Sequence, residues 1–170
     1  NLKILKETLG VDADKSFYVP DEVYAAAKEQ AEANAKKEAE WKEMFAKYAE
    51  QYPELAKLYE DYKKKPCECM FDEEFYKFAG PMATRESSGK VLNKLADKLP
   101  NLMGGSADLA PSNKSVMDKR EYFSAANYAG SNIHFGIREF AMAGMANGMY
   151  LHGGILPYVA TFFVFSDYLK

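Results

Sequence analysis

Glu139 is the side chain with the clearest opening for chemistry. It follows Phe135-Gly136-Ile137-Arg138, where a short apolar run gives way to a helix of small residues that includes Ala141, Gly144, Ala146 and Gly148. A carboxylate at a helix start is favoured by the positive end of the dipole; it can be the ion-pair partner of Arg138 or another cation, or it can be a catalyst. Two other polar segments accompany it. Gly104-Gly105-Ser106-Ala107-Asp108 leads into Pro111-Ser112-Asn113, where Asp108 and Ser112 are either turn formers or ligand-binding groups. Phe162, Phe165 and Tyr168 recur every three residues on one helical face, a spacing shared by core stripes and aromatic pockets. Arg85 sits at a helix N-terminus, where its charge opposes the dipole, and this conflict points to an anion partner.

Other chemistries find little support. His134 and His152 have no companion ligand at metal-binding spacing, and no metal site is expected within these residues. Cys67 and Cys69 form a Cys-x-Cys pair, without redox spacing or a four-ligand set, and read as two free thiols. Gly104-Gly105-Ser106 lacks the Gly-Lys of a phosphate loop. With 170 residues, 48% of them hydrophobic, the chain can bury an ordinary core. Its net charge of −3 offers no basic footprint for nucleic acid, and Lys63-Lys64-Lys65 is too short to supply one. No apolar run has the roughly 20 residues of a membrane span, so neither nucleic acid nor membrane is expected as a partner and a cytoplasmic location is. A chain that starts at Asn1 and stops at Lys170 inside an apparent helix reads as a piece of a longer polypeptide.

The elements that must position these groups fall into two segments, 1–79 and 80–170. Residues 20–52 are rich in Ala, Glu and Lys, with Pro20 fitted to a first helical turn and Asp21 and Glu22 complementing its dipole. Trp41, Met44, Phe45, Tyr48 and Tyr52 form one apolar stripe on that helix. Pro53 interrupts it, and Leu55, Leu58, Tyr59 and Tyr62 mark a second, shorter helix that ends before Pro66. Together they predict a helical connector. Beyond Gly80-Pro81 a helix capped by Thr84 buries Val91, Leu92, Leu95 and Leu99. Short strands follow at residues 102–105, 132–135 and 156–160, separated by a helix over residues 139–150 that Gly153-Gly154 ends and followed by a terminal helix. This order predicts an α/β fold, a parallel sheet with helices on both faces. Ligands of such sheets bind beyond the carboxyl ends of the strands, where Asp108, Ser112, Glu139 and Phe162 should converge.

Gly104-Gly105-Ser106-Ala107-Asp108-Leu109, Pro111-Ser112-Asn113, Phe135-Gly136-Ile137-Arg138-Glu139-Phe140 and Thr161-Phe162-Phe163-Val164-Phe165-Ser166-Asp167-Tyr168 occur together and in order. In this the chain closely resembles transketolases of the bacterial type. Lys15-Ser16-Phe17-Tyr18-Val19-Pro20-Asp21-Glu22 is similar to the end of that family's diphosphate-binding domain. The helical segment resembles its interdomain connector, and the residues from Ala83-Thr84-Arg85 onward resemble the first part of its pyrimidine-binding domain, incomplete here. Phe140 stands where some eukaryotic members have His.

The resemblance implies thiamin diphosphate as cofactor, with a divalent metal, Mg or Ca, held by a domain outside these residues. The residue matching Glu139 hydrogen-bonds the ring nitrogen of the aminopyrimidine and is the catalytic group; a carboxyl that donates must hold its proton. Phe162, Phe165 and Tyr168 match the aromatic pocket for the pyrimidine, and Asp108 matches a carboxylate near the thiazolium. Arg85 and Ser112 match residues that bind the sugar-phosphate terminus. The implied reaction moves a two-carbon ketol unit from a ketose phosphate to an aldose phosphate in the pentose phosphate pathway, with the cofactor shared between subunits of a homodimer. Other readings are the same domain in deoxyxylulose phosphate synthase or phosphoketolase, or a non-catalytic interaction module on the scaffold. The 170 residues alone are expected to be inactive.

Overall fold

The computed structural model describes residues 1–66 and 71–170; the Cys67 and Cys69 pair read above as free thiols lies outside the described residues. Two compact units are present, Asn1–Pro53 and Glu54–Lys170.

The first unit consists of α1 (Leu2–Thr8) and the long α2 (Asp21–Gln51). Pro20, at φ −59°, is the N-cap of α2 rather than its first helical residue, while Asp21 and Glu22 fill the first turn as expected. The aromatic stripe exists in space as a ladder. Trp41 stacks on Phe45 with ring centroids 5.2 Å apart, Phe45 on Tyr48 at 6.1 Å, and Tyr48 tilts against Tyr52 at 5.2 Å. No residue of α2 is buried. Its charges pair along the helix, as in Lys42 with Glu38 and Lys47 with Glu43, and such solvated pairs contribute little.

After Tyr52 the chain breaks at proline and resumes as α3 (Pro53–Tyr62). A 3₁₀ turn at Glu73–Tyr76 buries Phe75, and then the α/β part begins with α4 (Thr84–Lys98) and β1 (Leu102–Ser106). It continues through α5 (Ala110–Asn113), β2 (Asn132–His134), α6 (Glu139–His152) and β3 (Leu156–Ala160) to a 3₁₀ helix at Phe163–Leu169. Thr84 does not cap α4. The extended residue Ala83 (φ −63°, ψ 143°) occupies the N-cap position without a side-chain bond, Thr84 is the first helical residue, and its carbonyl accepts from Ser87 Oγ at 2.9 Å. The first-turn N–H groups of α4 therefore lack a side-chain cap, and Glu86 is left to offset the dipole.

All three strands are parallel, in the order β2-β1-β3, with Gly104 opposite both Asn132 and Tyr158. The central strand has to be glycine there: a Cβ on Gly104 would lie 1.9 Å from the carbonyl oxygen of Tyr158, and one on Gly105 2.0 Å from that of Ile133. Strand alternation sends side chains to two cores. Leu102, Leu156 and Tyr158 pack with Leu92, Leu95 and Ala96 of α4, with Leu99 just past its end and with Met117. Ile133, Val159 and Phe135 pack with Ala107, Met142 of α6 and Leu169. Helices thus cover both faces of the sheet.

The irregular stretch from 114 to 131 is fastened by Asn132, which is 2% exposed. Its Nδ2 donates to the carbonyls of Met117 (3.0 Å) and Arg120 (2.7 Å), while its Oδ1 accepts from Met117 N–H at 2.9 Å and from the Tyr158 hydroxyl at 3.5 Å. Arg120 in turn donates to the carbonyls of Ala96 (2.7 Å) and Pro100 (3.1 Å), satisfying the end of α4. Among the described residues no helix is long and apolar enough to cross a membrane.

Candidate active site

The site is built where the three strands end. β1 delivers Ser106, which is buried, and Ser106 Oγ accepts from Leu109 N–H at 3.0 Å and from Asn113 Nδ2 at 3.1 Å. Ser106, rather than Asp108, is therefore the turn former of this loop. Asp108 has no such bond and adopts φ +63°, a left-handed conformation that a residue with a Cβ adopts at a cost of about 1–2 kcal/mol. Aspartate tolerates this conformation better than most residues with a Cβ, and here its carboxylate is not used by the turn.

β2 delivers Glu139. Buried Phe135 leads into Gly136 at φ +70°, and Arg138 folds back on this turn, its N–H donating to the Gly136 carbonyl at 2.8 Å and its Nη1 to the Phe135 carbonyl at 3.0 Å. The guanidinium is thereby turned to its own loop. Glu139 opens α6 with only 8% exposure, and among the described residues no cation pairs with it and no donor reaches its carboxyl within hydrogen-bond distance. The ion-pair explanation of this residue fails on that geometry.

β3 delivers Thr161 and then the 3₁₀ helix. Three residues per turn place Phe165 and Tyr168 one above the other, and their rings lie tilted at 6.4 Å. These rings, with Ala107, Asp108, Leu109, Ile137 and Glu139, line a cleft of about 570 Å³. Four of the residues singled out from sequence thus meet in one place: Asp108, Glu139, Phe165 and Tyr168. Arg85 and Phe162 line a different cavity, of about 470 Å³, with Thr84, Ser88, Asn113, Lys114 and Thr161 among its walls. Ser112 is exposed on α5 and lines neither, although its neighbour Asn113 does.

A carboxyl with no partner among the described residues, at the edge of a cleft walled by aromatic and aliphatic side chains, suits a flat heterocycle. The rings can stack on its face while the carboxyl meets a ring nitrogen at its edge. The aminopyrimidine of thiamin diphosphate has that shape and that edge. Among the described residues no group of three His, Cys, Asp or Glu side chains is placed to hold a metal ion.

Sequence reasoning passed over two residues here. Thr161 Oγ1 is buried and has no hydrogen-bond partner among the described residues; its position just past a strand end was the signal that could have found it. Tyr158 is the other. Burial, helped by nearby Tyr122, pushes its hydroxyl well above the usual phenol range, so it stays a neutral donor to the Ser115 carbonyl at 3.0 Å and braces the loop that carries Asp108. Nothing in its local sequence announces that contact.

Comparison with known proteins bears on the family. The family profile described as "Transketolase, pyrimidine binding domain" matches residues 80–170, and that described as "Transketolase, thiamine diphosphate binding domain" matches residues 1–66. A transketolase of Bacillus subtilis (strain 168) is 48% identical over 174 residues, covering 99% of this chain and 26% of the relative. One from Aquifex aeolicus (strain VF5) is 42% identical over 156 residues, 92% of this chain and 23% of its own. Among solved structures, a Pichia stipitis transketolase in complex with sedoheptulose 7-phosphate superimposes with a TM-score of 0.76 at 33% identity, covering 99% of this chain and 26% of that one. The chain spans about a quarter of the length of the relatives it matches.

Proposed function

Because the chain belongs to the transketolase family, we propose that the full-length protein transfers a two-carbon ketol unit from a ketose phosphate to an aldose phosphate, and that these residues supply the pyrimidine side of its thiamin diphosphate site. The observation that carries the reading is Glu139, 8% exposed and without a cationic partner at the mouth of the aromatic cleft. Relatives crystallised with sugar phosphates support the substrate class.

Thiamin diphosphate, when bound, supplies the nucleophilic carbon and the electron sink for moving the two-carbon unit. Glu139 would donate a hydrogen bond to the ring nitrogen of the aminopyrimidine. Phe165 and Tyr168 would orient the ring and exclude water, and Phe162, which lines the other cavity, is joined to them in this reading by the family resemblance. Asp108 would supply negative charge to the positively charged thiazolium. Arg85 would take the phosphate end of the sugar through paired N–H donors, and Ser112, exposed on α5 outside that cavity, is assigned to the same task by the family resemblance alone. A divalent metal, Mg or Ca, belongs to the diphosphate half of the site. In this reading the enzyme is a cytoplasmic homodimer of the pentose phosphate pathway, with a second subunit completing the site, and residues 1–79 act as connector to the domain at 80–170.

Full-length protein loaded with thiamin diphosphate and Mg²⁺ should convert xylulose 5-phosphate and ribose 5-phosphate to a seven-carbon and a three-carbon sugar phosphate, followed by chromatography of the products. The 170 residues alone should show no turnover. Transfer to phosphate itself, or condensation with pyruvate, would assign the chain to a different thiamin enzyme.

A further inference from the structure

Arg85 is exposed near the uncapped start of α4, and among the described residues no carboxylate lies within salt-bridge distance of it. One turn later on the same face is Gly89, and it is there that the loop after α5 touches the helix. A Cβ at Gly89 would fall 2.8 Å from both the Cβ and the carbonyl oxygen of Lys114, so the absence of a side chain is what lets Lys114 sit against α4. The backbone of Lys114 is fixed as well, since it closes α5 in a left-handed conformation (φ 58°, ψ 39°) with its N–H bonded to the Ala110 carbonyl. Lys114 and Arg85 therefore line the same cavity of about 470 Å³ from two elements, and the orphaned Thr161 hydroxyl lines it from a third.

We infer that Lys114 is a second cation for the phosphate terminus of the sugar and sets the preference for phosphorylated over unphosphorylated substrates, an inference that rests on the ketol-transfer reading above. The ammonium is available for that task. Its contact in the free protein is Glu86 Oε1, 3.9 Å away, with both side chains nearly half exposed (47% and 45%). A pair that long and that solvated holds little energy, so a phosphate dianion can replace Glu86 at little cost. The division of labour follows from the donor types: the planar guanidinium of Arg85 fixes the orientation of the phosphate, Lys114 adds a point charge that tolerates movement, and Thr161 offers a hydroxyl that lacks a partner. Phosphate also has the charge that the uncapped first turn of α4 favours.

The test is steady-state kinetics of the full-length enzyme with ribose 5-phosphate or unphosphorylated ribose as acceptor. Lys114→Ala should raise KM for ribose 5-phosphate about tenfold, the scale of one charge-assisted bond to a solvated site, with kcat and the kinetics on ribose changed less than twofold. Lys114→Arg should restore the preference, and Glu86→Gln, which frees the ammonium, should lower KM for the phosphorylated acceptor. Equal effects on both acceptors, or an unchanged KM for ribose 5-phosphate, would overturn the role of Lys114 while leaving the ketol-transfer reading intact. If the unaltered enzyme fails to transfer ketol units to either acceptor, that reading falls, and the inference falls with it.

Discussion

Replacing Glu139 by glutamine separates catalyst from scaffold because only an ion-pair role would make the change costly in stability. The substitution keeps shape and volume and removes the ionisable group. If Glu139 were half of a buried ion pair, breaking it would destabilise the fold by about 3–5 kcal/mol. The structure contains no such pair: Arg138 is bonded to the Phe135 carbonyl, and no other described cation approaches the carboxyl. One contribution is left: as the first residue of α6 the carboxylate gains about 0.3–1 kcal/mol from the dipole, so Glu139→Gln should lower stability by no more than about 1 kcal/mol. Activity should fall far more. An amide cannot deliver the proton that the ring nitrogen requires, and loss of a positioned proton donor lowers turnover by about 10²–10⁴-fold. The assay pairs ketol transfer by the full-length enzyme with thermal unfolding of the cofactor-free form. A titration with thiamin diphosphate followed by fluorescence gives a readout independent of turnover. Turnover within threefold of the unaltered enzyme, or an unfolding midpoint more than a few degrees lower, would refute the reasoning.

Two further outcomes follow from the framework around the site. Asn132→Ala strands the N–H and carbonyl of Met117 and the carbonyl of Arg120 in a buried region, so chemical denaturation should show a loss of about 3–5 kcal/mol, far more than a surface substitution gives. Tyr158, whose hydroxyl is held above its usual range mainly by burial, favours the neutral form in the folded state. The stability linked to it is complete below the unfolded phenol value of about 10 and is lost as pH rises beyond it. Tyr158→Phe should therefore lower stability at pH 7 by about 1 kcal/mol through loss of its bonds, and the gap should narrow above pH 10 in a thermal-unfolding series.

Much of the fold was legible because it is local. The proline at 53, the acidic first turn after Pro20, the glycines at 153 and 154 and the apolar pentad at 156–160 each act within a few residues, and α2, α3, α6 and β3 formed where those signals fall. The cap of α4 was misread for the same reason. Thr84 is a good capping type, but the extended backbone at Ala83 started the helix one residue sooner. At the site, residue types and order were enough to single out Asp108, Glu139, Phe165 and Tyr168, whose shared cleft depends only on three strands ending on one rim.

What the sequence by itself determined about this protein is the alternation of strand and helix, the family to which its motifs belong, and the side chains proposed to bear its chemistry, all of them carried by spacing along the chain. Tertiary structure alone decided that Arg138 turns away from Glu139, that Ser106 frees Asp108 from the turn, and that Gly89 brings Lys114 beside Arg85. Each of these is a contact between atoms whose separation is set by how the backbone packs and bends, and residue spacing carries no record of which neighbour a side chain will find.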